Sequence, residues 1–484
     1  MSTVRRPILF LLAGAALLAG IAIWVGRKPR PRAAIELDQL RSQEKWLESE
    51  PVRLLRDYVR IDTTEEKGER AGAEFLRQIL ECDGIETEIV CPAPERCNLL
   101  ARLPGKKREG SLLLLNHIDV FSFEPQLWKE STPLGGEIKL GFLYGRGVYD
   151  MKSTAIAQAL ALREVKRHGI VPETDILFLA EADEEFGQKW GARWLLENRP
   201  EWFAGVRYVL NEGGVNEMIL RDIRFFGVET IQTGTAWAEL DGEDEEVLAG
   251  LAARWKTLEG GKVAPDSQIR SAFDLMANHT GYPLNEHLRN LDEVRNDPAR
   301  MAEIPDRYGA FLEPRIFWSP VFPYPLTKPD RKRIVLVIST PPGVSPHPYL
   351  DGILADAQKS GLRASRSLAS EATEASPWAG PDGRPTPFLS LIRDSIEARY
   401  PGIPFGPIPS YGVYTTSALF RRKGFQTYGW TPIAVNITDA SRRHANDERV
   451  FLADFLVGVE MYADFLAAFA LWPGHEMSVS SAQP

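Results

Sequence analysis

The chain has 484 residues, of which 44% are apolar and 25% charged, proportions that exclude wholesale disorder, a collagen-like rod and a polytopic membrane protein. At roughly 150 residues per domain, the length implies two or three domains and a large core. The formal charge is −9, but residues 1–34 hold six basic residues and no acid, so the remainder carries 51 basic against 66 acidic residues, a formal −15. Such an acidic body argues against nucleic acid as a partner.

Residues 8–25 (ILFLLAGAALLAGIAIWV) form an uncharged apolar run just long enough for a transmembrane helix. No small-x-small cleavage site follows it, so an uncleaved membrane anchor is expected, with a cleaved secretory signal as the alternative. The basic residues after the span favour a cytoplasmic body. Its position at the very N-terminus favours export, and the expected location of the body is extracytoplasmic or periplasmic. Cys82, Cys91 and Cys97 are too few for a disulfide scaffold or a four-thiolate site. Cys91 and Cys97 are close enough in sequence to be bridged if both extend toward each other; buried free thiols are the other reading.

Residues 26–36 read as a linker, completing an N-terminal unit of 1–36. A helical pattern begins near 37. LLLLN (112–116), ILFLA (176–180) and YVLN (208–211) read as buried strands, and 152–169 and 190–198 as the helices between them. Strand and helix in alternation predict an α/β domain with a mostly parallel sheet covered on both faces. The texture changes after 217. Residues 225–240 read as long strand material, 243–258 as a helix, 333–340 as a strand, 349–361 as a helix and 362–370 as a strand, whereas 260–330 resist assignment. The chain is therefore divided into 37–217, an inserted second domain at 218–372, a return to the first domain over 373–475, and a disordered tail at 476–484.

Chemistry-bearing residues gather where the strands end. The first run closes on His117-Ile-Asp119, the second on Asp183-Glu184-Glu185 and the third on Glu212-Gly-Gly. In an open parallel sheet such ends converge on the ligand-binding edge. Converging carboxylates repel and need a cation between them. Asp150 follows a glycine-rich loop (YGRGVYD) and precedes a helix, so a helix N-cap competes with a ligand role there. His444 follows another strand-like run. Imidazole and carboxylate ligands suit zinc, with cobalt or manganese as replacements, and two ions would share a bridging carboxylate. Of the adjacent Glu184 and Glu185, one would be a general base and the other a ligand; Asp119 would fix the tautomer of His117.

The ordered segments H-I-D-V, G-F-L-Y-G-R-G-V-Y-D-M-K, A-D-E-E-F-G-x-x-x-G-A, N-E-G-G and H-A-N-D-E-R-V resemble the motifs of a zinc hydrolase family. It comprises the aminoacylases, carboxypeptidase G, succinyl-diaminopimelate desuccinylase and acetylornithine deacetylase. The similarity spans about 37–475 and is nearest in look to yeast carboxypeptidase S and the secreted N-acyl-amino-acid hydrolases. The resemblance implies a zinc-exopeptidase-like catalytic domain interrupted by a ferredoxin-like α+β lid. It implies two zinc ions per subunit: Asp150 bridging, His117 on one ion, His444 on the other, and Glu185 and Glu212 completing one each. It makes Glu184 the general base and Asp119 the orienter of His117. The implied partner is a small peptide or N-acyl amino acid, and the family's lid-mediated homodimer is left open here.

Three departures concern substrate binding. The family's lid G-H-x-S segment is replaced by AELDGEDEEVLAG (238–250), without histidine, and His279 does not align with it. A lid arginine is replaced by a run containing Thr340, and a T-D-A-R segment by Thr415-Thr416-Ser417-Ala418. The expected activity is hydrolysis of peptide or N-acyl amide bonds; the alternative is a membrane-anchored protein that binds metal with little or no turnover.

Overall fold

The computed structural model describes residues 49–473, apart from 215, 220–221, 224, 243–244, 257–261, 279, 319–331, 371–374, 381–382 and 411–414. The expected membrane span at 8–25, its linker and the tail at 476–484 lie outside the described residues. Among the described residues no helix is long and apolar enough to cross a membrane.

Two amphipathic helices, α1 (Glu50–Val59) and α2 (Arg70–Glu81), lead into the hairpin β1 (Glu86–Ala93) and β2 (Arg96–Leu103). Cys91 and Cys97 form a disulfide across this hairpin, and Cys82 is free and exposed. Then come β3 (Lys107–His117), α3 (Ser153–Arg167), β4 (Thr174–Glu181), α4 (Ala192–Asn198) and β5 (Val206–Asn211). The strands are apolar on both sides because both faces are covered. Leu112, Leu114, Ile176, Phe178 and Leu210 pack into one core with α1, α2 and α3, while Leu113, Leu115, Leu177, Leu179 and Val209 pack into a second with α4.

The predicted long strand at 225–240 is two strands belonging to two sheets. β6 (Phe226–Gln232) stays in the main sheet, and β7 (Gly234–Gly242) opens the second one, so the second sheet begins some way beyond the predicted boundary at 218. Helices α5 (Glu245–Lys256) and α6 (Ser267–Ala277) follow, then β8 (Arg315–Trp318), β9 (Lys332–Thr340), α7 (His347–Lys359) and β10 (Arg363–Ser370). The second sheet has the order β8-β9-β7-β10 and is antiparallel throughout, a β-α-β-β-α-β arrangement. The unassigned stretch 260–330 contributes a helical insertion. Its Ile269, Phe273, Leu288 and Phe311 pack not on the second sheet but against Ile231 and Ile408 of the main one.

The chain returns through α8 (Pro387–Glu397), β11 (Phe405–Ser410), α9 (Ser417–Arg422), β12 (Gln426–Gly429) and α10 (Leu452–Ala470). The main sheet has the order β1-β2-β4-β3-β5-β12-β6-β11. Only its centre, β4-β3-β5-β12, is continuously parallel. The β1–β2 hairpin joins β4 antiparallel, and β6 meets β12 antiparallel before pairing parallel with β11. The sheet is therefore mixed, with four of its seven pairings parallel as expected and the antiparallel ones toward the edges, where a tight hairpin closes one side and the strand leading to the second sheet lies on the other.

An ion pair is buried where these pieces meet. Arg421 of α9 reaches the fully buried Glu229 of β6, and its Nε and Nη2 donate to Thr427 O of β12 at 3.1 and 3.0 Å. Removing one partner leaves an uncompensated buried charge, which typically costs about 3–5 kcal/mol. Arg421→Met is expected to lose about that much in urea unfolding at pH 7, and Glu229→Gln added to it should recover part. A loss below about 1 kcal/mol would show that the pair is not what ties β6 to β12 and α9.

Candidate metal centre

Parallel strands β3, β4 and β5 end on one edge, at His117, Glu181 and Asn211, and the residues that follow turn into a common cleft. His117 is 2% exposed and its Nε2 lies 3.1 Å from Asp150 Oδ1. His444 Nε2 lies 2.9 Å from the other oxygen of the same carboxylate and 3.0 Å from Glu185 Oε1. One carboxylate thus stands between two imidazoles from opposite ends of the chain. The candidate ligand atoms of His117, Asp150 and Glu185 lie within 4.8 Å of one another, as do those of His117, Glu184 and Glu212.

Asp119 sits behind this cluster, and its predicted role divides in two. Its main-chain oxygen is 2.9 Å from His117 Nδ1, whereas the nearer carboxylate oxygen is 3.5 Å away. A carbonyl only accepts, so it holds the proton on Nδ1 and leaves Nε2 free to bind a cation. The Asp119 carboxylate instead accepts the amide hydrogens of Glu184 at 3.1 Å and Glu185 at 2.9 Å. Asp183, the third acid of that run, turns away and accepts from the Lys189 amide at 2.8 Å.

The competing N-cap reading of Asp150 fails. α3 starts at Ser153 with Lys152 in its N-cap position, and the Asp150 carboxylate is taken up by the two imidazoles instead. The glycine before this segment is required: Gly147 has φ +78°, and a Cβ there would lie 2.3 Å from Val120 Cγ1. Likewise Gly214, after Glu212, has φ +75°, and its Cβ would lie 2.2 Å from Gly227 O.

Burial, the largest influence, drives the carboxyl groups of Glu184 and Glu212 well above the usual range, and the charges of Glu212 and Asp150 respectively add to it. For Asp150 burial opposes ionisation, yet the two histidine hydrogen bonds hold it well below the usual carboxylate range. Burial disfavours the His444 cation, but Glu185 and Asp150 outweigh it and raise this imidazole to about 9. Glu184 Oε1 is buried without a hydrogen-bond partner. Two imidazoles and four carboxylates gathered around one space, with Glu184 Oε1 buried and unpaired, make a nitrogen and oxygen donor set that fits divalent zinc.

Two residues within the quoted motifs escaped the sequence reading. Glu448 accepts from the amides of Tyr149 at 2.9 Å, Asp150 at 3.2 Å and Gly147 at 3.2 Å, and from Arg146 Nη1 at 2.8 Å. Arg146 also donates to the main-chain oxygens of His444 and Ala445, both at 3.0 Å. This buried pair fastens the Asp150 loop to the His444 loop. Their position within two recurring segments was the available signal; nothing in their spacing reveals that they meet. The hydroxyl row at 415–417 has structural work: Gln232 donates to Thr415 at 2.7 Å, Asn211 donates to Ser417 at 3.1 Å, and Thr416 accepts from Gln188. Thr340 caps its own turn, donating to Val344 O at 2.7 Å.

Partners behind the ligands typically tune metal affinity by 10–100-fold. Glu448→Gln is expected to weaken zinc binding by roughly that factor in a competitive chelator titration; a fall in melting temperature with unchanged affinity would reduce Glu448 to a scaffold role. Metal affinity should also depend on pH, because a proton must leave His444 before it binds a cation. In the metal-free protein the stability contributed by this raised group is present below its unfolded value of roughly 6.5 and is lost as pH rises through about 9. Zinc-induced thermal stabilisation should therefore grow from pH 6 to pH 9, and a flat profile would contradict the assignment of His444.

Residues 113–468 match the family described as Peptidase family M20/M25/M40. A protein of Staphylococcus aureus named "Probable succinyl-diaminopimelate desuccinylase" is 33% identical over 152 residues, 31% of this chain and 36% of that one. The "N-fatty-acyl-amino acid synthase/hydrolase PM20D1" of Xenopus tropicalis is 30% identical over 197 residues, 37% of this chain and 38% of that one. The matched stretch thus spans little more than a third of either relative. The di-peptidase Dug1p of Saccharomyces cerevisiae superposes with a TM-score of 0.65 at 13% identity, covering 91% of this chain and 99% of that structure, which is a likeness of fold. With the family's match running through both central strands and the His444 loop, the chain belongs to peptidase family M20/M25/M40.

Proposed function

We propose that this protein is a dinuclear zinc amidohydrolase that cleaves a peptide or N-acyl amide bond in a small substrate with a free carboxyl end. It would act as a carboxypeptidase, a dipeptidase or an N-acyl-amino-acid hydrolase. The observation that carries this reading is the Asp150 carboxylate held between His117 and His444, with Glu184, Glu185 and Glu212 turned toward the same space. The names of the relatives, a desuccinylase and an N-fatty-acyl-amino acid synthase/hydrolase, support amide chemistry of this class.

In this reading Asp150 would hold both ions, with His117 and Glu212 completing one site and Glu185 and His444 the other; cobalt or manganese would serve as replacements. When bound, the ions lower the pKa of a water molecule and polarise the scissile carbonyl. Glu184 takes the water's proton and passes it to the leaving nitrogen. Asp119 positions Glu184 through its amide, so the base stays aligned while its side chain exchanges a proton. The antiparallel sheet β8-β9-β7-β10 acts as a lid joined to the main sheet at Thr233, between β6 and β7, and closing it over the cleft would exclude bulk water. We further propose that residues 8–25 anchor the protein in a membrane with the catalytic body outside the cytoplasm, where the Cys91–Cys97 disulfide would persist.

Glu184→Gln tests the reading. Loss of a general base typically costs 10²–10⁴-fold in rate. The variant is expected to lose about that much turnover of N-acyl amino acids or dipeptides while still binding two metal ions by elemental analysis. Undiminished turnover, or a fully metal-loaded wild-type protein inert toward the whole panel, would defeat it.

A further inference from the structure

The residues from which the family resemblance would draw a positive charge for the substrate do not supply one. Thr340 is buried in a turn hydrogen bond, and Thr415, Thr416 and Ser417 are hydrogen-bonded to Gln232, Gln188 and Asn211. A different cation faces the centre. Arg443 immediately precedes His444, and its Nε lies 3.8 Å from Asp150 Oδ2. Its side chain is 39% exposed, and its guanidinium makes no hydrogen bond among the described residues.

The other arginines around the centre are engaged. Arg146 is buried and holds Glu448, His444 O and Ala445 O. Arg449 donates to Asp439 at 2.7 Å and Tyr144 Oη at 2.9 Å, and Arg442 reaches Asp447 O at 3.4 Å. The carboxylates of Asp150, Glu212 and Glu185 lie near enough for their charge to act on Arg443. Once those carboxylates act as ligands their charge is compensated elsewhere. The guanidinium then remains at the mouth of the centre with a planar set of unused donors, the geometry that matches a carboxylate in two-point contact.

We propose that Arg443 binds the free carboxylate of the substrate, taking the place of the absent lid cation. This inference rests on the hydrolase reading. Because Arg443 adjoins Asp150, the anion it binds lies close to the bond being cut. The carboxylate recognised is therefore the α-carboxylate of the residue whose nitrogen is acylated, not a distant acidic group.

The test pairs each N-acyl amino acid of a panel with its C-terminal amide and compares the wild type with Arg443→Gln and Arg443→Lys. Loss of a charge-assisted hydrogen bond weakens binding roughly 10–100-fold. Arg443→Gln should raise KM for the carboxylates by about that factor, leave kcat and metal content nearly unchanged, and leave the amides within about twofold; Arg443→Lys should restore part of the loss. Calorimetry adds a readout that needs no turnover. N-acetyl-L-phenylalanine should bind metal-loaded Glu184→Gln at least about tenfold more tightly than the same protein carrying Arg443→Gln as well. Equal losses for carboxylates and amides, no loss, a wild type indifferent to the carboxylate, or equal or absent binding by calorimetry would each overturn the proposal. Failure of the hydrolase reading looks different, since there no member of the panel turns over in any protein.

Discussion

Two imidazoles meet the two oxygens of one carboxylate, and the rest of the molecule is arranged around that contact. His117 ends a central strand, Asp150 lies in a loop before α3, and His444 comes from the returning part of the chain. None of the three groups is placed by its sequence neighbours alone. Four carboxylates brought into one buried space cost free energy until cations join them, and the upward displacement of Glu184 and Glu212 expresses that cost in chemical terms. The fold supplies what offsets it: a sheet with two apolar cores, packed so that its strand ends cannot drift apart.

The connections behind the candidate ligands tie the cluster together. Asp119 binds the imidazole through its carbonyl and the amides of Glu184 and Glu185 through its carboxylate, so a single residue aligns His117 of β3 with the two acids that follow β4. Arg146 and Glu448 do the same across nearly 300 residues of sequence, joining the Asp150 loop to the His444 loop. Both are buried charged groups with several hydrogen bonds, and such groups are stable only when all their partners are present together. Forming the centre and closing the two halves of the main domain are therefore one event.

The parts readable from sequence were those encoded in local pattern. Continuous apolar runs at 112–116, 176–180 and 208–211 mark strands covered on both faces, and the residues directly after them mark a binding edge, so His117, Glu184, Glu185 and Glu212 stood out by local pattern, whereas Asp150, with its competing N-cap reading, and His444 joined them through the motif resemblance. What escaped depends on pairing. Nothing in 225–240 tells that Thr233 divides two sheets, because both strands are apolar and β-branched on either side of it. The helical insertion at 260–330 carries its apolar residues in pieces too short for a clear period, and its docking on Ile231 and Ile408 is a tertiary fact. Antiparallel edges likewise leave no trace in a strand's own composition.

The division between ligation and recognition has a physical basis. Ligand geometry tolerates little displacement, so the candidate ligands sit at strand ends or on loops tied by buried hydrogen bonds. Recognition of a carboxylate needs only a cation near the mouth with donors to spare, and many positions in a loop can provide one. A chain can thus lose the cation on one element and carry another elsewhere without disturbing the centre. Arg443 shows how small the step is: it adjoins a ligand, so its backbone is already fixed by whatever holds His444, including the two Arg146 hydrogen bonds to this loop. The same bonds that keep the imidazole on Asp150 also keep the guanidinium beside it, so the substrate anchoring proposed for Arg443 would come at little further cost in order.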